Sequence, residues 1–203
     1  MIRIIGKIPQ KITIACSGGV DSMAIANFLL EGKRTVHLAY FNHDTSHSKE
    51  AERFIKEYSA KNKLALTVGR VSGTRGKLSL EEFWRNERYK FLESLKSEYI
   101  ITCHHLDDAV ETWLFSCFHG TPKVIPYQRG ENIYRPFLLT EKKEIIKYAK
   151  GRNLKWLEDP SNRMTKNIMR NQIRHNVMPH VLKVNPGIRK VIRKKLLESY
   201  RNI

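Results

Sequence analysis

Along this 203-residue chain, short aliphatic and β-branched runs alternate with longer stretches in which apolar residues recur every three or four positions. The short runs predict strands at 11–16, 35–41, 64–71 and 99–104, with 132–138 as a fifth. The periodic stretches predict helices at 20–31, 48–62, 79–97, 106–119 and 141–152. Strand and helix in regular alternation imply right-handed crossovers, hence an α/β fold with a parallel sheet and helices on both faces. Ligands of such sheets bind beyond the carboxyl ends of the strands, so the loops after Cys16, Phe41, Val71 and His104 are expected to share one crevice. The segment 120–130, rich in Pro and Gly, reads as a mobile loop, and turn residues at 158–162 break the helical pattern. Beyond them, 165–183 and 186–203 read as basic helical segments.

The first strand runs directly into Ser17-Gly-Gly-Val-Asp-Ser22, and an apolar helix pattern begins at once. Paired glycines let the backbone turn sharply and approach a bound group closely. Successive amides, together with the positive end of a helix, then make a cradle for phosphate. Ser17, Gly18, Gly19, Val20, Asp21 and Ser22 are the candidate nucleotide-binding residues. No Lys-Ser or Lys-Thr follows the glycines, so this is not a Walker A loop. The six residues resemble instead the signature of ATP pyrophosphatases, which cleave ATP between its α and β phosphates.

Charge narrows the partners. Lys and Arg number 37 against 20 Asp and Glu, a formal net charge of +17. That excess draws polyanions at long range, whether RNA, DNA or an anionic membrane surface. No stretch approaches the roughly 20 consecutive apolar residues of a membrane span, and the apolar part of the first residues is too short for a secretory signal. Cys16, Cys103 and Cys117 form no C-x-x-C pair, which argues against a structural zinc or iron–sulfur site. Cys16 and Cys103 read as small buried hydrophobes, and a cytoplasmic location is expected.

A second constellation opens the helix after the fourth strand: His104-His-Leu-Asp-Asp-Ala-Val-Glu-Thr112. On a helical projection Leu106, Ala109, Val110, Trp113, Leu114 and Cys117 share one face, with Asp107, Asp108 and Glu111 opposite. Carboxylates in a first turn complement the helix dipole. Beside a phosphate cradle they also suit Mg²⁺ or a cationic substrate.

With this helix the chain resembles the tRNA(Ile)-lysidine synthetase family, whose members join free lysine to C2 of an anticodon cytidine. The resemblance rests on Ser17–Ser22 and on His104–Thr112. It continues through Glu81, Glu82, Arg85, Arg88 and Tyr89, then Arg135-Pro-Phe-Leu-Leu139 and Trp156-Leu-Glu-Asp-Pro-Ser-Asn162, and ends with Arg170, Asn171, Arg174 and Pro179. A His-Gly-Leu-Arg-like turn of the family is altered to Asn42-His-Asp-Thr-Ser-His47, which keeps the histidine. The family's C-terminal tRNA-binding portion is largely missing from this sequence.

The resemblance implies a Rossmann-like, five-stranded sheet of the adenine nucleotide α-hydrolase type over residues 1–155, with a basic helical extension at 156–203 packed on it. It implies ATP and Mg²⁺ as cofactors, tRNA and lysine as partners, and no membrane; oligomeric state is left open, a homodimer included. Asp21, Asp108 and Arg174 are the expected catalytic residues, with Asp21 as metal ligand and Arg174 against nucleotide phosphate. His43 joins the loop in binding nucleotide, while His104, Asp108, Glu111, Arg85, Arg88 and Arg170 are expected to bind substrate. Competing readings are a PP-loop tRNA thiolase, a small-metabolite amidating synthetase, which the net charge disfavours, and a non-catalytic tRNA-binding relative.

Overall fold

A computed structural model describes residues 1–160 and 169–200. Residues 161–168 and 201–203, which carry the end of the Trp156 motif, the start of the first basic segment and the end of the second, lie outside the described residues.

The strands are β1 (Lys11–Ala15), β2 (Thr35–Asn42), β3 (Ala65–Arg70), β4 (Ile100–Thr102), β5 (Gln128–Arg129) and β6 (Ile133–Tyr134). They form one sheet in the order β3-β2-β1-β4-β6-β5. Every neighbouring pair is parallel except β5 with β6, which is antiparallel. The sheet therefore has six strands where five were expected. The added one lies in the 120–130 segment, which is largely exposed but anchored at two points: Ile125 and Tyr127 are buried, and the Tyr127 hydroxyl meets that of Tyr99 at 2.9 Å. The fifth expected strand shrinks to Ile133–Tyr134 because Pro136 has no N–H to continue a ladder.

The helices are α1 (Val20–Glu31), α2 (Ser46–Lys61), α3 (Leu80–Ser94), α4 (Leu106–Phe118), α5 (Lys142–Gly151), α6 (Met169–Gln172), α7 (Met178–Val184) and α8 (Ile188–Ser199), with a π-helical turn at Ile173–Val177 joining α6 to α7. Period-two alternation explains how both sheet faces are covered. Ile12 and Ile14 of β1, Leu38 of β2 and Ile101 of β4 pack with Met23, Ile25 and Leu29 of α1 and Ile55 of α2. Their strand neighbours Ala39 and Ile100 point the other way, against Tyr89 and Leu92 of α3. A third cluster joins Val110 and Leu114 of α4 to Ile173, Met178, Ile192 and Leu196. The C-terminal helices thus share a core with the helix that carries the second constellation.

The chain runs from β1 outward to β3, then returns to place β4 on the other side of β1. That reversal opens a crevice at the carboxyl ends of β1 and β4. No helix among the described residues is long and apolar enough to cross a membrane.

Candidate functional site

The crevice holds a cavity of about 720 Å³, lined among others by Ser17, Gly19, Asp21, His43, Arg88, His104, Asp108 and Lys142. Loops after β1, β2 and β4 contribute to it as expected. The loop after β3 does not; it lines a separate cavity of about 500 Å³ through Gly73 and Thr74. The buried carboxylate of Glu87 in α3 accepts the amides of Ser72 and Gly73 (3.4 and 3.0 Å) and turns that loop away.

The glycine turn after β1 has the backbone geometry its sequence suggests. Gly18 has φ +81°, the left-handed region, and its carbonyl accepts the amide of Leu157 at 2.9 Å. Ser22 is buried; its hydroxyl donates to the Gly19 carbonyl (3.0 Å) and accepts the Ser17 amide (3.2 Å). Gly19 is the residue before α1 and no side chain caps that helix, so its first amides keep no side-chain acceptor. An anion at that end would satisfy them.

Asp21 meets Lys142, whose Nζ donates to both carboxylate oxygens at 2.6 and 2.5 Å. The Lys142 amide donates to Asp107 at 2.8 Å, which fixes the start of α5 against α4. His105 is buried, and its Nδ1 accepts the Asp108 amide at 3.3 Å while Asp108 Oδ2 accepts the His105 amide at 2.9 Å, a reciprocal cap on α4. His105 Nε2 then faces Asp21 at 3.7 Å. Neither Lys142 nor His105 was singled out from the sequence. Lys142 lies 121 residues from Asp21, with no local signal linking them. His105 stands three residues before Asp108, where a Ser or Thr would have advertised a cap.

The three acids of α4 part company. Asp107 points away from the other two, to Arg189 of α8 at 2.6 Å and to the Lys142 amide. Asp107 and Glu111 are buried, 9% and 7% exposed, and Asp108 is half-buried. Trp113 and Cys117, expected on the apolar face, are only half-buried. Asp108 and Glu111 do converge, and Arg174 joins them. Its Nε and Nη2 each lie 2.8 Å from a Glu111 oxygen, and Nη2 reaches Asp108 Oδ1 at 3.3 Å. The arginine expected on nucleotide phosphate is thus a bidentate partner of the acid pair. Burial raises the Glu111 carboxyl above its ordinary range, against the pull of Arg174. Burial also works to raise Asp108, yet His105, through its ring and its backbone amide, and Arg174 hold it below the usual carboxylate value.

His104 bonds through Nδ1 to Thr102 Oγ1 at 3.0 Å, and burial drops its pKa to about 3. His43 packs edge-on to Phe41 and tilted against Trp84, at ring distances of 5.0 and 5.1 Å. Burial, reinforced by Arg88, takes its pKa down to about 4, so both imidazoles are neutral at pH 7. Arg88 lines the cavity; Arg85 and Arg170 do not. Arg85 lies 5.2 Å from the Tyr89 ring, and Arg170 pairs with Glu81 at 3.6 Å. Around the same buried tyrosine stand two arginines the sequence reading passed over as site residues, Arg129 over its face at 3.9 Å and Arg135 donating to its hydroxyl at 3.2 Å.

The cysteines are free thiols. Burial pushes both Cys16 and Cys103 upward, Cys103 well above its ordinary value. Cys103 is half-buried rather than buried. Among the described residues no group of His, Cys, Asp and Glu is assembled as a metal cluster.

Comparison with known proteins gives one family: a PP-loop domain matches residues 4–181. The tRNA(Ile)-lysidine synthase of Persephonella marina is 32% identical over 195 residues, covering 88% of this chain and 43% of that protein. That of Exiguobacterium sibiricum is 28% identical over 189 residues, covering 88% and 45%. The chain spans about half the length of the curated relatives it matches. Among solved structures, an NH3-dependent NAD synthetase from Campylobacter jejuni overlaps 96% of this chain and 86% of its own, with 16% identity and a TM-score of 0.48.

Proposed function

The chain belongs to the PP-loop domain family, and on that premise we propose that it is an ATP-dependent tRNA-modifying ligase that forms lysidine. In this reading the C2 oxygen of an anticodon cytidine attacks the α-phosphorus of ATP, and the bond to the β-phosphate oxygen breaks to release pyrophosphate. The lysine side-chain amine then attacks C2, the C2–O bond breaks and AMP leaves. The observation that carries the proposal is an uncapped glycine cradle facing, across one crevice, the half-buried Asp108 carboxylate, with the buried Glu111 behind it.

Each part has a task. The Gly19 end of α1 and the hydroxyl of Ser17 are suited to pyrophosphate, and Arg88 is the cavity-lining arginine that can face phosphate charge. Mg²⁺ binds through one or two carboxylates together with substrate phosphates, and Asp21 at the cradle would be that carboxylate, with the metal taking the place of the Lys142 ammonium now on its two oxygens. When bound it would neutralise charge on the leaving pyrophosphate. Lysine arrives as an ammonium ion with a pKa near 10.4 and must be held before it can be deprotonated. The acid pair divides that labour: Asp108, held low, stays anionic and pairs with the cation, while Glu111, raised by burial, is the better proton acceptor.

A thiolase would need an activated thiol, and the thiols of Cys16 and Cys103 are both pushed the wrong way. The test is pyrophosphate release that requires both tRNA and lysine, followed by mass spectrometry of tRNA nucleosides after incubation with isotopically labelled lysine. Label in a cytidine-derived nucleoside is the expected result. Binding of tRNA without turnover would sink the ligase reading in favour of a non-catalytic relative, and release that needs a sulfur donor would favour the thiolase.

A further inference from the structure

We propose that Arg174 is a built-in competitor for the amine, a specificity-determining residue that substrate must displace from Glu111 before it can be used. The inference rests on the function proposed above and names what regulates that same site. Both Glu111 oxygens are engaged by the Arg174 guanidinium at 2.8 Å, a fork-to-fork pairing that fills the paired front of the carboxylate, where an ammonium could bridge both oxygens. Asp108 is held more loosely: Oδ2 serves the His105 amide, and Oδ1 sees Arg174 only at 3.3 Å. The cavity agrees with this ranking, since Asp108 lines it whereas Glu111 and Arg174 do not. An amine entering from the crevice therefore meets Asp108 first and gains Glu111 only as Arg174 lets go.

The fold allows that exchange to be a side-chain event. Arg174 sits in the π-helical turn, but Ile173 before it and Met178 beyond it are anchored in the core, at 2% and 6% exposure. The backbone can stay while the guanidinium swings. The device also sets a threshold for what may enter. A neutral or weakly basic molecule cannot replace a guanidinium on a buried carboxylate without leaving that charge unpaired. A flexible primary ammonium, anchored first at Asp108, can.

The test uses the full chain with a non-hydrolysable ATP analogue present. Arginine side-chain Nε–H resonances are followed by NMR while L-lysine is titrated, with L-norleucine as the uncharged-side-chain control. The Arg174 signal is expected to shift and saturate with lysine and to ignore norleucine. By calorimetry, Arg174→Ala is expected to bind lysine at least about tenfold more tightly than wild type, some 1.4 kcal/mol. Added guanidinium ion at millimolar concentration should restore competition in the variant while leaving wild type unchanged. An Arg174 signal unmoved at saturating lysine would overturn the proposal while leaving the ligase reading intact. So would weaker lysine binding by a folded Arg174→Ala. Absence of lysine binding in wild type and variant alike would overturn the ligase reading and the proposal with it.

Discussion

The two cradle glycines should fail in different ways when each gains a methyl group. Gly18 has φ +81°, and a Cβ placed there meets only ordinary contacts, Ile55 and Phe54 at 3.6 Å. The penalty for Gly18→Ala is thus almost purely conformational, about 1–2 kcal/mol. Reduced freedom of the unfolded chain offsets about 0.4–1 kcal/mol of it. A net loss near 1 kcal/mol corresponds to a fall in Tm of about 2–4 °C for a chain of this size. Gly19 has φ −75° and ψ 164°, accessible to any residue, and a Cβ there lies 3.5 Å from Ser17 Oγ and 4.0 Å from the Leu157 carbonyl. Gly19→Ala should leave stability unchanged or slightly improved. Its methyl, however, stands where an anion must approach the helix amides. Losing one charge-assisted hydrogen bond there weakens ATP binding by roughly 10- to 100-fold. Urea or thermal unfolding beside ATP titration separates the two effects. Wild-type ATP affinity in a stable Gly19→Ala protein would refute the assignment of the cradle, and unchanged stability in Gly18→Ala would refute the strain argument.

Acid stability should depend on the two depressed histidines. Burial holds His104 to about 3 and His43 to about 4, whereas an unfolded imidazole protonates near 6.5. Their contribution is complete above about pH 6.5 and is lost as pH falls toward those folded values, because only the unfolded chain takes up protons in that window. His104→Asn is expected to flatten the slope of stability between pH 6 and 4 by up to ~1.4 kcal/mol per pH unit, and an unaltered slope in urea denaturation across that range would count against it. Arg189→Ala strips Asp107 of its guanidinium and should cost about 2 kcal/mol, read as a lower urea midpoint. Ile192→Ala empties a fully buried position between α8 and α4 and should cost about 2–4 kcal/mol, by the same measurement. Cys103→Ala should retain tRNA modification; its loss in a folded protein would revive the thiolase.

Local pattern was a good guide where local forces decide. The start of α1 follows directly from the glycine turn, and β1 to β3 are within two residues of their expected bounds. It was a poor guide to β5, two polar residues whose pairing with β6 depends on a loop folding back. At the site, the sequence identifies the acids but not their partners. Asp21 with Lys142, Asp107 with Arg189, and Glu111 with Arg174 are contacts across 121, 82 and 63 residues. No period of 2 or 3.6 encodes such distances: Lys142 and Arg189 look like further surface charges in a strongly basic chain, and Arg174, though singled out, is assigned by its motif to phosphate rather than to Glu111.

The hydrogen bond from the Leu157 amide to the Gly18 carbonyl has a bearing on the order of biosynthesis. The cradle is encoded within the first two dozen residues, yet β1 has β4 as a neighbour, pairing Thr13 with Ile100, and the Gly18 turn is closed by a residue translated long after it. At about 5–20 residues per second, a ribosome needs roughly 7–28 s to make the chain between Gly18 and Leu157. During that interval the glycine turn is exposed nascent polypeptide without its sheet neighbour or its Leu157 tie. Nucleotide capture is therefore a late event in the life of each molecule, available only after β4 and the segment through Leu157 have emerged and docked.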